Sequence, residues 1–266
     1  MRLIRALIGD GNRVFSVDSV RELATSAGMS SGYLRQALHH LTNAGWLVRL
    51  RKGLYTLSTT APGVPTAHEF EIAMALAPLA AISHWSALHH HGLTEQASRR
   101  VFVLTTTDTP IPQMRSRKQA GHSDGILVGT AVYQFVRVKP ERFFGTRNIW
   151  INDVRVTMTD PERTLLDGLM MPQYCGDFAE VLHAFQERGP HLDIKRIIDY
   201  AFKLDAATIK RLGWVLEHAG IASRRLKPLL GVPIKGYRTL DPTGPRHGPC
   251  NRHWMIQENL PGKVKQ

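Results

Sequence analysis

The stretch from Ser30 to Leu57 constrains the fold most, because it has the pattern of a capped helix that leads into a two-stranded ribbon. Its first half places apolar residues at three- and four-residue spacing: Leu34, Ala37, Leu38 and Leu41. This spacing predicts an amphipathic helix, with Ser30 as its N-cap and Gly45 at its end. The opposite face of this helix carries Gly32, Arg35, Gln36 and His39. Such a helix has one face for a core and one face free for a partner.

The second half of the stretch, GWLVRLRKGLYTL, alternates bulky apolar residues with cations and breaks at Arg51, Lys52 and Gly53. This alternation predicts two β-strands joined by a tight turn. We expect the bulky residues to pack against the helices or against each other: Trp46, Val48, Leu50, Leu54, Tyr55 and Leu57. Arg49, Arg51 and Lys52 then lie where the ribbon can reach a partner, and they make its tip positively charged.

Three shorter elements precede this stretch. RLIRALIGD predicts a first helix that stops at Gly9, and Val14 with Phe15 predicts a brief extended segment. A second helix, with its apolar residues facing inward, is predicted to end at Gly28. Helix, short strand, helix, tight turn, helix and basic ribbon is the element order of a winged helix-turn-helix.

In that fold the helix after Ser30 lies in the major groove of DNA, and the ribbon is the wing. Arg can pair with guanine and Gln with adenine, so Arg35 and Gln36 are the expected base contacts. The complete predicted DNA-binding set is Ser31, Tyr33, Arg35, Gln36, His39, Arg49, Arg51 and Lys52. Two alternatives stay open at this point. A winged helix can also dock proteins, and a basic hairpin can simply be a solvated sheet edge.

The charge of the whole chain favours a polyanionic partner. Its 266 residues carry a formal net charge of +12, which favours nucleic acid first and an anionic membrane surface second. No apolar run approaches the roughly 20 residues that span a bilayer, and the N-terminus does not resemble a signal peptide. We therefore expect a cytoplasmic protein without membrane attachment. Its two cysteines, Cys175 and Cys250, are expected to be reduced.

The chain after Leu57 is predicted to contain a linker and one larger domain. The domain boundaries are 1–58 for the winged helix, 59–66 for the linker and 67–266 for the larger domain. Helices are predicted in HEFEIAMALAPL and AAISHWSALHHHGL, followed by strands in RRVFVLTTT, AVYQFVRV, RNIWI and VRVTM. From TDPERTLLDGL onward the pattern is helical. The fold class is thus α+β, with a small sheet and a C-terminal helical region in the larger domain.

Two groups of residues could suggest catalysis or metal binding. The histidines are His84, His89, His90 and His91, and their spacing does not match a helical zinc pair. In DPERTLLD, Asp160 is expected to cap a helix, and Arg163 is expected to pair with Asp167. Glu162 is an acid in the first turn of that helix, where the helix dipole favours a negative charge. We therefore predict structural roles, no catalytic residue, no metal and no cofactor. A nucleic-acid-modifying enzyme with a winged-helix targeting module and an unrecognised C-terminal active site remains the alternative.

Four segments in order, LRQALHHLTNAGWLVRLRKGLYTL, ISHWSALHHHGLTEQ, TDPERTLLDGLMMP and RLGWVLEHAG, resemble the AbiEi family of antitoxins and transcriptional regulators of abortive-infection type IV toxin–antitoxin systems. The resemblance implies a repressor that binds inverted repeats of double-stranded DNA in its own promoter. We also expect a homodimer on the DNA. It also implies that the C-terminal domain supplies antitoxin or assembly function. The implied toxin is nucleotidyltransferase-like and forms no stable complex with the antitoxin.

Cations also cluster outside the winged helix, and a second basic surface could contact DNA beyond the recognition helix. They are Arg115, Arg117 and Lys118, then Arg224, Arg225 and Lys227, and finally Lys235, Arg238, Arg246 and Arg252. The alternative is that these cations only keep the protein soluble.

Overall fold

The N-terminal region folds into three helices and a three-stranded antiparallel sheet. This computed structural model describes residues 2–9, 11, 13–26, 28–111, 125–188 and 191–260. The first elements are α1 (Arg2–Gly9), β1 (Val14–Ser16), α2 (Arg21–Ser26), α3 (Ser31–Asn43), β2 (Leu47–Arg51) and β3 (Leu54–Leu57). The strand order is β1-β3-β2, with both pairs antiparallel. This arrangement is consistent with the predicted winged helix-turn-helix.

The core of this region forms where the three helices meet one face of the sheet. It contains Leu3, Ile4, Leu7, Phe15, Val20, Ala24, Leu34, Leu38, Leu47 and Leu57, all of them buried. The predicted N-cap is confirmed, because Ser30 Oγ accepts a hydrogen bond from the Tyr33 backbone N–H at 3.3 Å. Gly45 follows α3 with a φ of 78°, a left-handed conformation that favours glycine and ends the helix as predicted.

The β2–β3 hairpin differs from the predicted alternation at two positions. Trp46 was expected to face inward, but it precedes β2 and is 36% exposed, while Leu47 takes the core position opposite Leu57. Arg49 pairs with Tyr55 and Arg51 pairs with Leu54, so Leu50 is an extra residue in a β-bulge. The bulge breaks the strict alternation of period two.

The segment 58–66 forms no helix or strand, but it is tied to the base of the hairpin. The Ser58 N–H donates to the Trp46 carbonyl at 2.9 Å, and the Gly63 N–H donates to the Gly45 carbonyl at 3.0 Å. A Cβ on Gly45 would lie 2.7 Å from the Pro62 Cβ, so a larger residue there would collide with the segment. The segment is therefore an ordered connection rather than a free tether.

The next part of the chain builds a six-stranded sheet with two helices. Its elements are α4 (Glu69–Leu76), β4 (Ala80–Ile82), α5 (His84–His90), β5 (Arg100–Thr106), β6 (Ile126–Val128), β7 (Ala131–Val138), β8 (Thr146–Ile151) and β9 (Val154–Thr159). The strand order is β6-β7-β5-β4-β9-β8. The prediction of a helix throughout AAISHWSALHHHGL is wrong at its start, because β4 occupies Ala80–Ile82. All three residues of β4 are buried, and Ile82 pairs with Met158.

The remainder is helical, as predicted, and ends in a small sheet. The helices are α6 (Pro161–Met170), α7 (Phe178–Arg188), α8 (Ile194–Ala201), α9 (Ala206–His218) and α10 (Ser223–Leu230), and the strands are β10 (Arg238–Thr239), β11 (Cys250–Asn251) and β12 (Ile256–Gln257). Trp254 is fully buried against Gly213 of α9, where any side chain would overlap the indole. Its Nε1–H donates to Glu217 Oε2 at 2.7 Å. This hydrogen bond fixes the C-terminal segment to α9.

By internal packing the chain divides into two compact units. One comprises Met1–Ala80, Arg99–Arg137 and Ile149–Val156, and the other comprises Ala81–Ser98, Val138–Asn148 and Thr157–Gln266. The boundaries 1–58, 59–66 and 67–266 stay a prediction about functional domains. Within the described ranges, no helix has both the length and the apolar character needed to cross a membrane.

Candidate nucleic-acid interface

The outer face of α3 carries most of the helix side chains that were predicted from the sequence to contact DNA. Arg35, Gln36 and His39 are exposed, and they lie opposite the buried Leu34 and Leu38. The 3.6-residue period of the helix produces this division, since residues 34 and 38 share one face. An exposed helical face with long polar side chains has the reach to read base edges.

The first turn of α3 contains the remaining helix residues that were predicted to contact DNA. Tyr33 is 58% exposed, which is high for an aromatic side chain. Ser31 begins the helix, but its side chain lies outside the described part of the structure. Because Ser30 caps the helix through the Tyr33 backbone, the orientation of this first turn is fixed.

His39 differs from Arg35 and Gln36 in its local contacts. The Asn43 side-chain amide lies 3.1 Å from His39 Nε2, one helical turn further along. A protein hydrogen bond occupies that ring nitrogen, so a contact to a base through it would require rearrangement. Arg35 and Gln36 are therefore the better candidates for base contacts on this face.

The tip of the hairpin presents three cations in succession. Arg49, Arg51 and Lys52 are exposed, and Lys52 with Gly53 forms the turn between β2 and β3. Gly53 has a φ of 76°, which a residue with a Cβ rarely adopts. Arg49 Nε donates to the Arg51 carbonyl at 3.4 Å, so the arginine side chain lies along the strand. The hairpin and α3 belong to the same packed region, since α3 contacts β2.

The electrostatic balance of this region is positive. Residues 1–58 contain eight arginines and lysines but only three acids. Arg21 pairs with Asp18 at 2.7 Å, and Arg13 pairs with Asp153. In the described ranges, no acidic side chain forms a salt bridge with the cations of the α3 face or the hairpin tip. Their charge is therefore available to phosphates, whose counterions it can displace.

Sequence reasoning missed one feature, a groove between α1 and α3. Its walls include Leu3 from α1 and Tyr33, Gln36 and His40 from α3. The period of α3 could place Tyr33 and His40 beside the exposed face. The distance to α1 could not be read from the same pattern, because it depends on how the two helices pack.

The DPERTLLD segment holds a buried network in the second unit. Asp160 caps α6 by accepting from the Arg163 N–H at 2.8 Å, and it also accepts from the Tyr200 hydroxyl at 2.9 Å. Burial raises the pKa of Asp160. The predicted pair is confirmed, since Arg163 Nη2 lies 2.8 Å from Asp167 Oδ1 and both side chains are fully buried. These contacts give each residue a structural role.

The histidine group is divided between the interior and the surface. His84 is fully buried, its Nδ1 lies 2.8 Å from Ser83 Oγ, and burial lowers its pKa to about 4. His91 Nε2 donates to the Thr159 carbonyl at 2.7 Å, while His89 and His90 are exposed. Across the described ranges, no three His, Cys, Asp or Glu side chains lie close enough together to hold a metal ion.

Comparison with known proteins finds a solved structure of similar fold and a family model that matches the N-terminal region. The chain is similar to the RV2827C protein from Mycobacterium tuberculosis, whose crystal structure aligns with a TM-score of 0.69 and 14% identity. The alignment covers 96% of this chain and 89% of that one, and at this identity it shows the fold alone. The curated proteins include no match. Residues 2–58 match the family model described as "Transcriptional regulator, AbiEi antitoxin". The region that contains α3 and the hairpin is therefore similar to the AbiEi antitoxin and transcriptional-regulator domain.

Proposed function

We propose that this protein is a sequence-specific repressor of transcription that binds double-stranded DNA through residues 1–58. The observation that carries the proposal is the exposed pair Arg35 and Gln36 on α3, in the same packed region as the cationic hairpin tip. A major-groove helix supplies base contacts, and a basic wing supplies phosphate contacts. The match of this region to a family of regulators supports the same assignment.

We propose further that the DNA target is an inverted repeat in the protein's own promoter. Two copies of the chain would bind its two halves, as a homodimer on the DNA, since a two-fold repeat matches a two-fold protein assembly. Residues 67–266 would supply antitoxin activity or assembly. The toxin would be nucleotidyltransferase-like and would act without a stable complex. The family description, which joins regulator and antitoxin, supports this part.

The alternative of a nucleic-acid-modifying enzyme would require reactive side chains that a substrate can reach. Asp160, Arg163 and Asp167 are all buried and occupied in helix capping or ion pairing. The AbiEi family is described by regulation and antitoxin function rather than by catalysis. Both observations favour the regulator.

Selection of binding sites from random-sequence duplex DNA with the full-length protein tests the proposal. We expect enrichment of one inverted repeat that also occurs upstream of the protein's own gene. A DNA duplex that contains this repeat should bind the protein at least about 1,000-fold more tightly than scrambled DNA of equal length at physiological salt. Selection that enriches no sequence would contradict specific DNA recognition.

A further inference from the structure

Strand β8 leaves one edge of the six-stranded sheet open. It is the last strand in the order β6-β7-β5-β4-β9-β8, so within the described ranges β9 is its one neighbouring strand. An edge strand presents backbone N–H and C=O groups that can pair with another strand, and proteins often protect such edges with lysine or proline. The strand TRNIWI contains neither of these residues. Its outer edge is therefore able to accept a further strand.

This edge strand carries an exposed tryptophan. Trp150 is 70% exposed, the highest value among the large exposed hydrophobic residues of the described ranges. Asn148 lies two residues earlier on the same face of the strand and is also exposed, and its Oδ1 accepts a hydrogen bond from Thr157 Oγ1 at 3.0 Å. Tryptophan is enriched at the centres of protein interfaces, where burial of its large ring is stabilising. The open edge together with Trp150 indicates a contact surface.

The sequence around Trp150 is symmetric, and this symmetry selects the partner. From Asn148 to Asn152 the chain reads Asn-Ile-Trp-Ile-Asn in both directions, and Arg147 and Asp153 flank this segment with opposite charges. Suppose that a strand pairs antiparallel with its own copy around a two-fold axis at one residue. Each residue before the axis then lies opposite the residue equally far after it. An axis at Trp150 therefore matches every residue of the segment with a chemically suitable partner.

Charge complementarity favours this register over its neighbours. With the axis at Trp150, Arg147 of one copy lies opposite Asp153 of the other, and symmetry makes this pair occur twice. An axis at Asn148 or Ile149 would instead place the Arg147 guanidinium opposite an isoleucine. Opposite-charge and aromatic cross-strand pairs are stabilising. We propose that β8 is a homodimer interface, in which it pairs antiparallel with β8 of a second copy around Trp150.

The proposed interface is connected to residues 1–58. Arg13, just before β1, forms an ion pair with Asp153 Oδ2, so Oδ1 of the same carboxylate can accept a hydrogen bond from Arg147 of the second copy. A dimer through β8 would link two copies of residues 1–58, as recognition of an inverted repeat requires. This effect on DNA binding rests on the proposed function, whereas dimerisation does not.

Sedimentation velocity of the full-length protein without DNA, over a range of concentrations, tests the interface. We expect a weak monomer–dimer equilibrium, because one short strand buries less surface than a standard interface. Trp150→Ala should weaken dimerisation at least about tenfold. Leu127→Ala, at a residue that is 58% exposed on the opposite edge strand β6, is the matched control and should dimerise like the wild type. Thermal unfolding verifies that all variants are folded.

Charge reversal tests the register. Arg147→Glu alone, or Asp153→Arg alone, places like charges opposite each other twice and should weaken self-association at least about fivefold. In an equal mixture of these two variants, each substituted residue lies opposite a residue of the other sign. The two proteins should therefore associate with each other about as tightly as wild-type chains do. Arg155→Glu, at an exposed position on β9, is the matched control and should leave association unchanged.

Three results would overturn the proposal. One is a sedimentation coefficient of the wild type that does not change with concentration. Another is dimerisation that Trp150→Ala and Leu127→Ala affect equally. The third is a mixture of Arg147→Glu and Asp153→Arg that associates no better than either variant alone, which would exclude the axis at Trp150.

A mobility shift with the selected inverted repeat measures the consequence for DNA binding. Trp150→Ala should bind the full repeat at least about tenfold more weakly than the wild type and a single half-site equally well, because only the full repeat benefits from linked copies. Equal binding of the full repeat would overturn the link between dimer and DNA. If the protein dimerises through β8 but selection enriches no inverted repeat, the interface stands and the proposed function fails.

Discussion

Arg163 Nη2 lies 2.8 Å from Asp167 Oδ1 in the interior of the second unit, and both side chains are 0% exposed. The guanidinium also donates to the Arg142 carbonyl at 2.8 Å and lies 4.4 Å from the centroid of the Phe144 ring. A single buried cation thus connects α6 to the segment that precedes β8. This network stabilises the fold, and it is separate from the residues that we propose for DNA binding.

Asp167→Asn should destabilise the protein by about 3–5 kcal/mol, because it leaves the Arg163 charge buried without its counterion. Urea unfolding at neutral pH measures this loss. Asp199→Asn, an exposed carboxylate on α8, is the matched control and should change stability by no more than about 0.5 kcal/mol. Equal stability of the two variants would show that the pair contributes little.

His84 should make stability depend on pH. Burial lowers its pKa from 6.5 to about 4, so between these values the unfolded chain binds more protons than the folded one. Stability from this group is therefore complete above about pH 6.5 and is lost as the pH falls toward 4. Between pH 8 and pH 5 the loss should be about 2 kcal/mol.

The histidine contribution is isolated by comparing the wild type with His84→Asn in urea unfolding at both pH values. His84 has a φ of 48°, and asparagine tolerates this backbone conformation better than most residues. His84→Asn should be less stable than the wild type at pH 8, and its stability should fall by less between pH 8 and pH 5. Parallel losses in both proteins would exclude His84 as the titrating group.

The hairpin tip should determine part of the salt dependence of DNA binding. Replacing Arg49, Arg51 and Lys52 with Ala should lower the slope of log affinity against log salt by up to about 3, because each phosphate contact contributes about 0.9. A charge-matched control replaces the exposed residues Lys139, Arg155 and Lys195. A slope that falls equally in both triple variants would mean that only net charge matters.

The exposed cations of α10 test whether DNA contacts extend beyond the winged helix. Arg224, Arg225 and Lys227 are all exposed, whereas the predicted cluster at Arg115, Arg117 and Lys118 lies outside the described residues. Replacing the α10 cations with Ala should flatten the salt slope and shorten the footprint on the DNA. An unchanged slope and footprint would assign these cations to solubility alone.

The sequence predicted the parts of this fold that depend on local contacts. Ser30 and Asp160 were identified as caps because a capping side chain bonds to a backbone N–H only a few residues away. Arg163 and Asp167 were paired because residues four apart share a helical face. These features are properties of a single helical turn, so no knowledge of the tertiary structure was needed.

Other features depend on partners far along the chain, and the sequence did not predict them. Ala80–Ile82 is a strand because Ile82 pairs with Met158, 76 positions later. The bulge at Leu50 follows from the register with β3, and the groove beside Gln36 follows from the packing of α1. The exposed face of α3 was predictable, whereas the cavity next to it was not.

The most direct test of the proposed function is the specificity of DNA binding after substitution of Arg35 or Gln36. Affinity for the selected inverted repeat and for scrambled DNA is measured by mobility shift for the wild type, Arg35→Ala, Gln36→Ala and the control Arg21→Ala. The two α3 variants should each lose about 1–3 kcal/mol on the repeat and almost nothing on scrambled DNA. Equal losses on both DNAs, or none on either, would contradict base reading by α3.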